Sequence, residues 1–197
     1  MQIVFLSKQT PEDFTDEASC GKYPDAPKKC PFKNCGLPIT MVKNGFYRRD
    51  LITARFNGRI KIRRYKCPKC GRTVSMLPSF CLAGFTYGVD IVVGLMRKAV
   101  ESGSNRKAAE SYRAVAGCIS RRHVALYLSR LRKNRPLIQY GFNQISPGSI
   151  HIGDPPGDIE WTRSFLLGTG STLSPESNTE FHKATGKSFM STQNKIA

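Results

Sequence analysis

The chain has 197 residues and carries 31 lysines and arginines against 14 aspartates and glutamates, a formal charge of +17. That length fits one domain or two small ones, and no stretch reaches the roughly 18 apolar residues that a membrane-spanning helix needs. Charge of this size says nothing about fold, but it disfavours a small neutral substrate as the main partner and points to an anionic one, nucleic acid or an acidic membrane.

Residues 1–29 carry four basic and five acidic side chains. Met1–Leu6 alternates weakly and is expected to form a short strand. Pro11, Pro24 and Pro27 mark the rest as an extended lead-in. The N-terminus lacks the cationic start, long apolar stretch and small-residue cleavage site of a signal peptide. A cytoplasmic location is therefore expected, and in a reducing cytosol paired cysteines serve metal binding rather than disulfides.

Two such pairs follow, Cys30-Pro-Phe-Lys-Asn-Cys35 and Cys67-Pro-Lys-Cys70, each with glycine next (Gly36, Gly71). Short turns of this kind present two thiolates from one backbone bend, and Zn²⁺ favours four of them in a tetrahedron. One structural zinc on Cys30, Cys35, Cys67 and Cys70 is expected. Four thiolates close the coordination sphere and leave no position for a reacting water. Cys81 and Cys118 read as small buried hydrophobes, and Cys20, in a polar stretch, as exposed.

Between the pairs, Met41–Asn44, Phe46–Phe56 and Arg59–Lys66 are rich in β-branched, aromatic and basic residues, and Thr73–Leu77 offers another short strand. Asn57-Gly58 predicts a type I′ hairpin turn. In Arg59–Arg63 the period is two, with isoleucines on one side and cations on the other. Residues 30–80 hold twelve basic side chains and one acidic. Arg59, Lys61, Arg63, Arg64 and Lys66, almost unopposed by acids, are the candidate phosphate contacts. Tyr47 and Tyr65 are open between stacking on bases and packing in a core.

Residues 81–136 turn helical. Val92, Leu95, Met96, Ala99 and Val100 repeat at helical spacing over Val89–Ser102, with Asp90 near the start and Gly103 at the left-handed end. Ser104 caps a second short helix over Asn105–Arg113. Ser120 caps a third from Arg121 to about Lys133, its stripe Val124, Leu128 and Leu131, and Pro136 is expected to stop it. A short helix, a turn and a capped helix opening with Arg121-Arg122-His123 fit a helix-turn-helix, in which those N-terminal side chains meet base edges.

Residues 137–197 are rich in Gly, Ser, Thr and Pro around one island, Trp161–Leu167, and read as a loose tail with at most a short docked helix. Gly186-Lys187-Ser188 is no P-loop, because the preceding glycine is missing: position 181 is Phe181. The acids beyond the helical trio, Asp154, Asp158, Glu160, Glu176 and Glu180, lie in a segment too short for a nuclease-sized core, so no catalytic residue is assigned.

The run from Cys30 through Asn44-Gly-Phe-Tyr-Arg48 to Ile60-Lys-Ile-Arg-Arg-Tyr-Lys-Cys-Pro-Lys-Cys-Gly-Arg-Thr-Val-Ser-Met-Leu-Pro78 resembles the N-terminal zinc ribbon of bacterial insertion-sequence transposases, and in particular an uncharacterised transposase-associated ribbon family. The resemblance implies zinc on the four cysteines and binding to DNA, and it brings no catalytic domain. The expected architecture is α+β: an N-terminal lead-in over 1–29, an antiparallel Cys₄ zinc ribbon over 30–80, a homeodomain-like helix-turn-helix over 81–136 and a loosely structured tail over 137–197. The expected function is that of a non-enzymatic DNA-binding protein, an accessory or residual transposition protein or a transcriptional regulator. Its partners would be duplex DNA and a second copy or a transposase, with neither membrane nor small-molecule substrate. An RNA-binding ribbon protein and a compact transposase or nuclease are the alternatives.

Overall fold

Strand-forming and helix-forming sequence segregates along the chain, and the fold follows that division. A computed structural model describes residues 1–15, 23–145, 157–168 and 173–191. It is mixed α+β, with a four-stranded sheet and, among the described residues, seven α-helices.

The strands are β1 (Gln2–Phe5), β2 (Val42–Ile52), β3 (Asn57–Lys66) and β4 (Thr73–Pro78), in the order β1-β4-β3-β2. β3 is antiparallel to both neighbours, and β1 runs parallel to β4. The first residues are therefore part of the sheet rather than a mere lead-in: Val4 is buried, and a 3-10 turn at Pro11–Phe14 drops Phe14 onto it. Alternation along β3 holds as expected, with Ile60 and Ile62 fully buried and Arg59, Lys61 and Arg63 on the opposite face. Met41–Asn44 and Phe46–Phe56 do not form two strands. They merge into β2, which continues through an irregularity between Lys43 and Phe46 where Gly45 takes φ +67°.

The hairpin turn is not at Asn57-Gly58. Those two residues pair with Ile52 and Leu51 as the first rungs of β3, and the chain turns at Thr53–Phe56. The Thr53 hydroxyl accepts from the Arg55 and Phe56 amides at 3.3 and 3.0 Å, and the Thr53 amide donates to the Phe56 carbonyl at 2.8 Å. A threonine side chain closing its own turn thus outcompetes the Asn-Gly preference.

α1 (Val89–Ser102) and α4 (Arg121–Lys133) fall where periodicity and caps place them, whereas α2 (Asn105–Ser111) stops short of the expected Arg113 and a single-turn α3 (Arg113–Ala116), which the sequence did not signal, lies between α2 and α4. Gly103 ends α1 at φ +63°, and the Ser104 hydroxyl caps α2 by accepting from the Lys107 amide. The Asp90 carboxylate accepts from the Ala54 amide at 2.6 Å, tying the start of α1 to the hairpin turn.

Pro136 does not end the helical region, and the tail is not loose in its described parts. α5 (Arg135–Ile145) begins after Asn134, and Pro136 sits in its first turn, where a missing N–H costs nothing. α6 (Asp158–Gly168) and α7 (Pro175–Thr185) follow. The polar composition that suggested looseness supplies helix ends: Ser174 and Pro175 start α7, and Gly186 ends it at φ +66°. Trp161 and Phe165, one helical turn apart, stack with ring centroids 5.1 Å apart. They join Phe181 and Phe189 in one large core with Val92, Leu95 and Met96 of α1 and Val124, Leu128 and Leu131 of α4. Each such fully buried aliphatic or phenyl side chain contributes about 1.5–3 kcal/mol. Gly141 allows α5 to approach α7 closely, since a Cβ there would overlap the Phe181 ring and lie 2.7 Å from the Thr185 methyl.

Sheet and helices are joined by backbone. The Ile52 amide donates to Thr86 O and the Gly88 amide to Ile52 O, at 3.0 and 2.8 Å. Asn178 of α7 donates to the carbonyls of Ser79 and Cys81 at 2.9 and 3.2 Å.

Candidate metal centre and cationic surface

Two similar turns build the cysteine cluster. In the first, the Cys35 and Gly36 amides donate to the Phe32 carbonyl, Cys30 donates to Leu37 O, and Gly36 takes φ +54°. In the second, Cys67 follows directly after β3 and donates to Arg72 O, and Gly71, at φ +70°, donates back to Cys67 O at 2.9 Å. Both glycines adopt a backbone that a side chain would strain. The turns bring the four sulfurs within 4.8 Å of one another. Cys30 and Cys70 sulfurs are 3.8 Å apart, and Cys35 and Cys67 sulfurs 3.9 Å. Ligands about 2.3 Å from a tetrahedral centre stand about 3.8 Å apart, so the donor set and its spacing fit one ion. Among the described residues this is the one group of cysteine, histidine and carboxylate side chains that could hold a metal.

The surroundings differ between the ligands. A hydrogen bond from the Cys70 backbone, assisted by one from Lys69, lowers the Cys67 thiol to about 7, whereas burial pushes Cys30 up to about 12. Met41, Tyr65, Val74 and Met76 bury the cluster from the sheet side. Of the other cysteines, Cys81 is buried as expected, but Cys118 is exposed, in the tight connection after Gly117. Cys20 lies outside the described residues.

The candidate DNA contacts do not form one row. Arg59 is exposed, but the single acid of residues 30–80 neutralises it: its Nε is 2.8 Å from Asp50 Oδ1. Lys61 and Arg63 share the face of Arg59, half-buried, and the Arg63 guanidinium lies 3.8 Å from the centre of the Phe46 ring. Arg64 falls on the Ile60 and Ile62 side of the strand, half-buried, with its Nε out of solvent and unpartnered. Lys66 is exposed beside Cys67. On α4, Arg121 and Arg122 are exposed in the first turn. His123 is half-buried and occupied with structure: its Nδ1 accepts from the Ser120 amide at 3.1 Å, and its ring lies against Tyr87 and Tyr127.

Both tyrosines left open are packing residues. Tyr65 is buried and donates to Pro24 O at 2.8 Å, and Tyr47 packs against the Ile60 and Ile62 cluster. Among the acids, Asp158 reaches Arg135 at 3.5 Å and Glu180 reaches Lys183 at 2.8 Å, Glu160 and Glu176 are exposed, and Asp154 lies outside the described residues. Arg49 escaped the sequence reading. It faces inward in register with Ile60 and donates to the carbonyls of Leu82 and Phe85, clamping the sheet to the segment before α1. Strand parity alone places Arg49 with Tyr47 and Leu51.

No match is found when the chain is compared with protein-family models, curated proteins and solved structures. Among the described residues, no helix is long and apolar enough to cross a membrane.

Proposed function

We propose that this is a zinc-stapled, cytoplasmic DNA-binding protein, related to the N-terminal domains of insertion-sequence transposases and acting as an accessory transposition protein or a regulator. The observation that carries the reading is the four-sulfur cluster set in a segment with twelve basic and one acidic side chain. On this reading zinc holds a ribbon in shape and does no chemistry. Lys61, Arg63 and Lys66 meet phosphates, which positions a protein without reading sequence. α2 to α4 act as a helix-turn-helix, supported by the exposure of Arg121 and Arg122 at a capped helix start.

The test is duplex binding by the zinc-loaded chain, followed by fluorescence anisotropy across a salt series. The observed association constant should fall steeply, with a logarithmic slope of about −0.9 per phosphate neutralised. Affinity that stays flat from low to moderate salt contradicts the reading. Tighter binding of RNA than of the matching duplex would favour the RNA alternative. Strand cleavage in Mg²⁺ or Mn²⁺ would contradict a purely binding role.

A further inference from the structure

α4 has two faces of different chemistry. Val124, Tyr127, Leu128 and Leu131 are buried in the core, and the Arg130 guanidinium turns back over the Phe85 ring, 4.8 Å from its centre. The opposite face carries Arg121, Arg122, Ala125 and Leu126, all exposed, and the half-buried Ser129. The helix has five lysines and arginines and no acid. Arg121 and Arg122 stand in the first turn, where the helix dipole is already positive, so they weaken the helix unless an anion approaches. Among the described residues neither has a hydrogen-bond or ion-pair partner. Ala125 and Ser129 are small enough to let a partner come close to the helix. Leu126 departs from this polar character. It lies one turn beyond Arg122, is 45% exposed, and adds nothing to the core.

A phosphate has no use for an exposed leucine, but the major groove of duplex DNA offers both chemistries side by side. Guanine presents two acceptors to an arginine, and thymine presents an apolar C5-methyl group. We infer that α4 reads a thymine through Leu126, packed on that methyl, one or two base steps from a guanine held by Arg122. The spacing follows from a helical turn of about 5.4 Å set against about 3.4 Å per base step. The inference rests on the DNA-binding reading and deepens it, because it names a base and the atom by which it is recognised.

In the experiment the zinc-loaded full chain selects its preferred duplexes from a random pool. Each thymine of the selected site is then replaced singly by uracil, which pairs in the same way and lacks only the methyl. One replacement, a step or two from a selected guanine, should weaken binding about fourfold, as expected for loss of one buried methyl-sized group. With Leu126→Ala the same replacement should have no effect, and with Leu126→Met, whose side chain keeps the reach, its effect should remain. A site in which no thymine responds to loss of its methyl, or a response unchanged by Leu126→Ala, overturns the thymine reading and leaves the DNA-binding function standing. Binding with no sequence selection does the same, since phosphate contacts alone then account for it. Failure to bind any duplex overturns both.

Discussion

The sheet half and the helical half of this protein are held together by different means. The helical half is one large apolar core to which α1, α4, α5, α6 and α7 all contribute, with Trp161, Phe165 and Phe181 inaccessible to solvent. The sheet half has two small clusters, one around Ile60 and Ile62 and one around the four cysteines, within residues 1–80 that carry sixteen basic and six acidic side chains. Burial can hold the first half. In the second, cationic repulsion opposes little apolar area, and the sulfur cluster is where a bound metal ion would cross-link the structure. A surface kept this cationic needs a scaffold that does not depend on burying much of it, and a metal staple is such a scaffold.

Substitutions that strike one half can sharpen or break this contrast. Cys67→Ser should have the largest effect, because a structural zinc in a small ribbon contributes about 10–16 kcal/mol, as much as the whole stability of a typical domain. The sheet should lose its protease resistance while the helical circular dichroism signal largely persists. Trp161→Ala should cost about 3–5 kcal/mol by opening a cavity in the helical core, seen as a lower urea midpoint with zinc content unchanged. Gly141→Ala should cost about 1–3 kcal/mol through overpacking against Phe181 and Thr185, again on the helical side. Arg121→Ala should leave the stability of both halves within about 0.5 kcal/mol of the parent while lowering the DNA-binding salt slope by about 1.

The smallest effect concerns His182, buried on α7, whose pKa burial lowers, partly offset by the Gln2 backbone. The unfolded chain then takes up this proton before the folded one does. Stability should be fully present above the ordinary histidine value of about 6.5 and decline as pH falls below it. His182→Gln should flatten that decline in a thermal melt, and an unchanged acid slope would remove His182 from the account.

Legibility in the sequence followed the same division of physics. The cysteine turns were readable because ligand spacing is local, and the bounds of α1 and α4 because periodicity and caps coincide at Val89–Ser102 and Ser120. The hairpin turn was misread because Thr53 acts through its side chain, which no dipeptide preference reports. Once the turn moved, so did the partners, and the opposition of Arg48 to Lys61 and of Phe46 to Arg63 exists only in the folded register. α5 and α7 were missed, and α6 was foreseen only as a short docked helix around Trp161–Leu167, because Trp161, Phe165 and Phe181 are few among many small polar residues. Their burial depends on α1 and α4 being present to receive them. Arg49 drew no reading from the sequence, and only its register with buried Ile60 gives it an inward role.

The contrast between the halves is tested most directly by hydrogen exchange on the full chain, with zinc bound and after chelation. On this account chelation strips protection from the β2, β3 and β4 amides and leaves that of the α1, α4 and α6 amides in place. Uniform loss across both halves, or no loss in either, would contradict it.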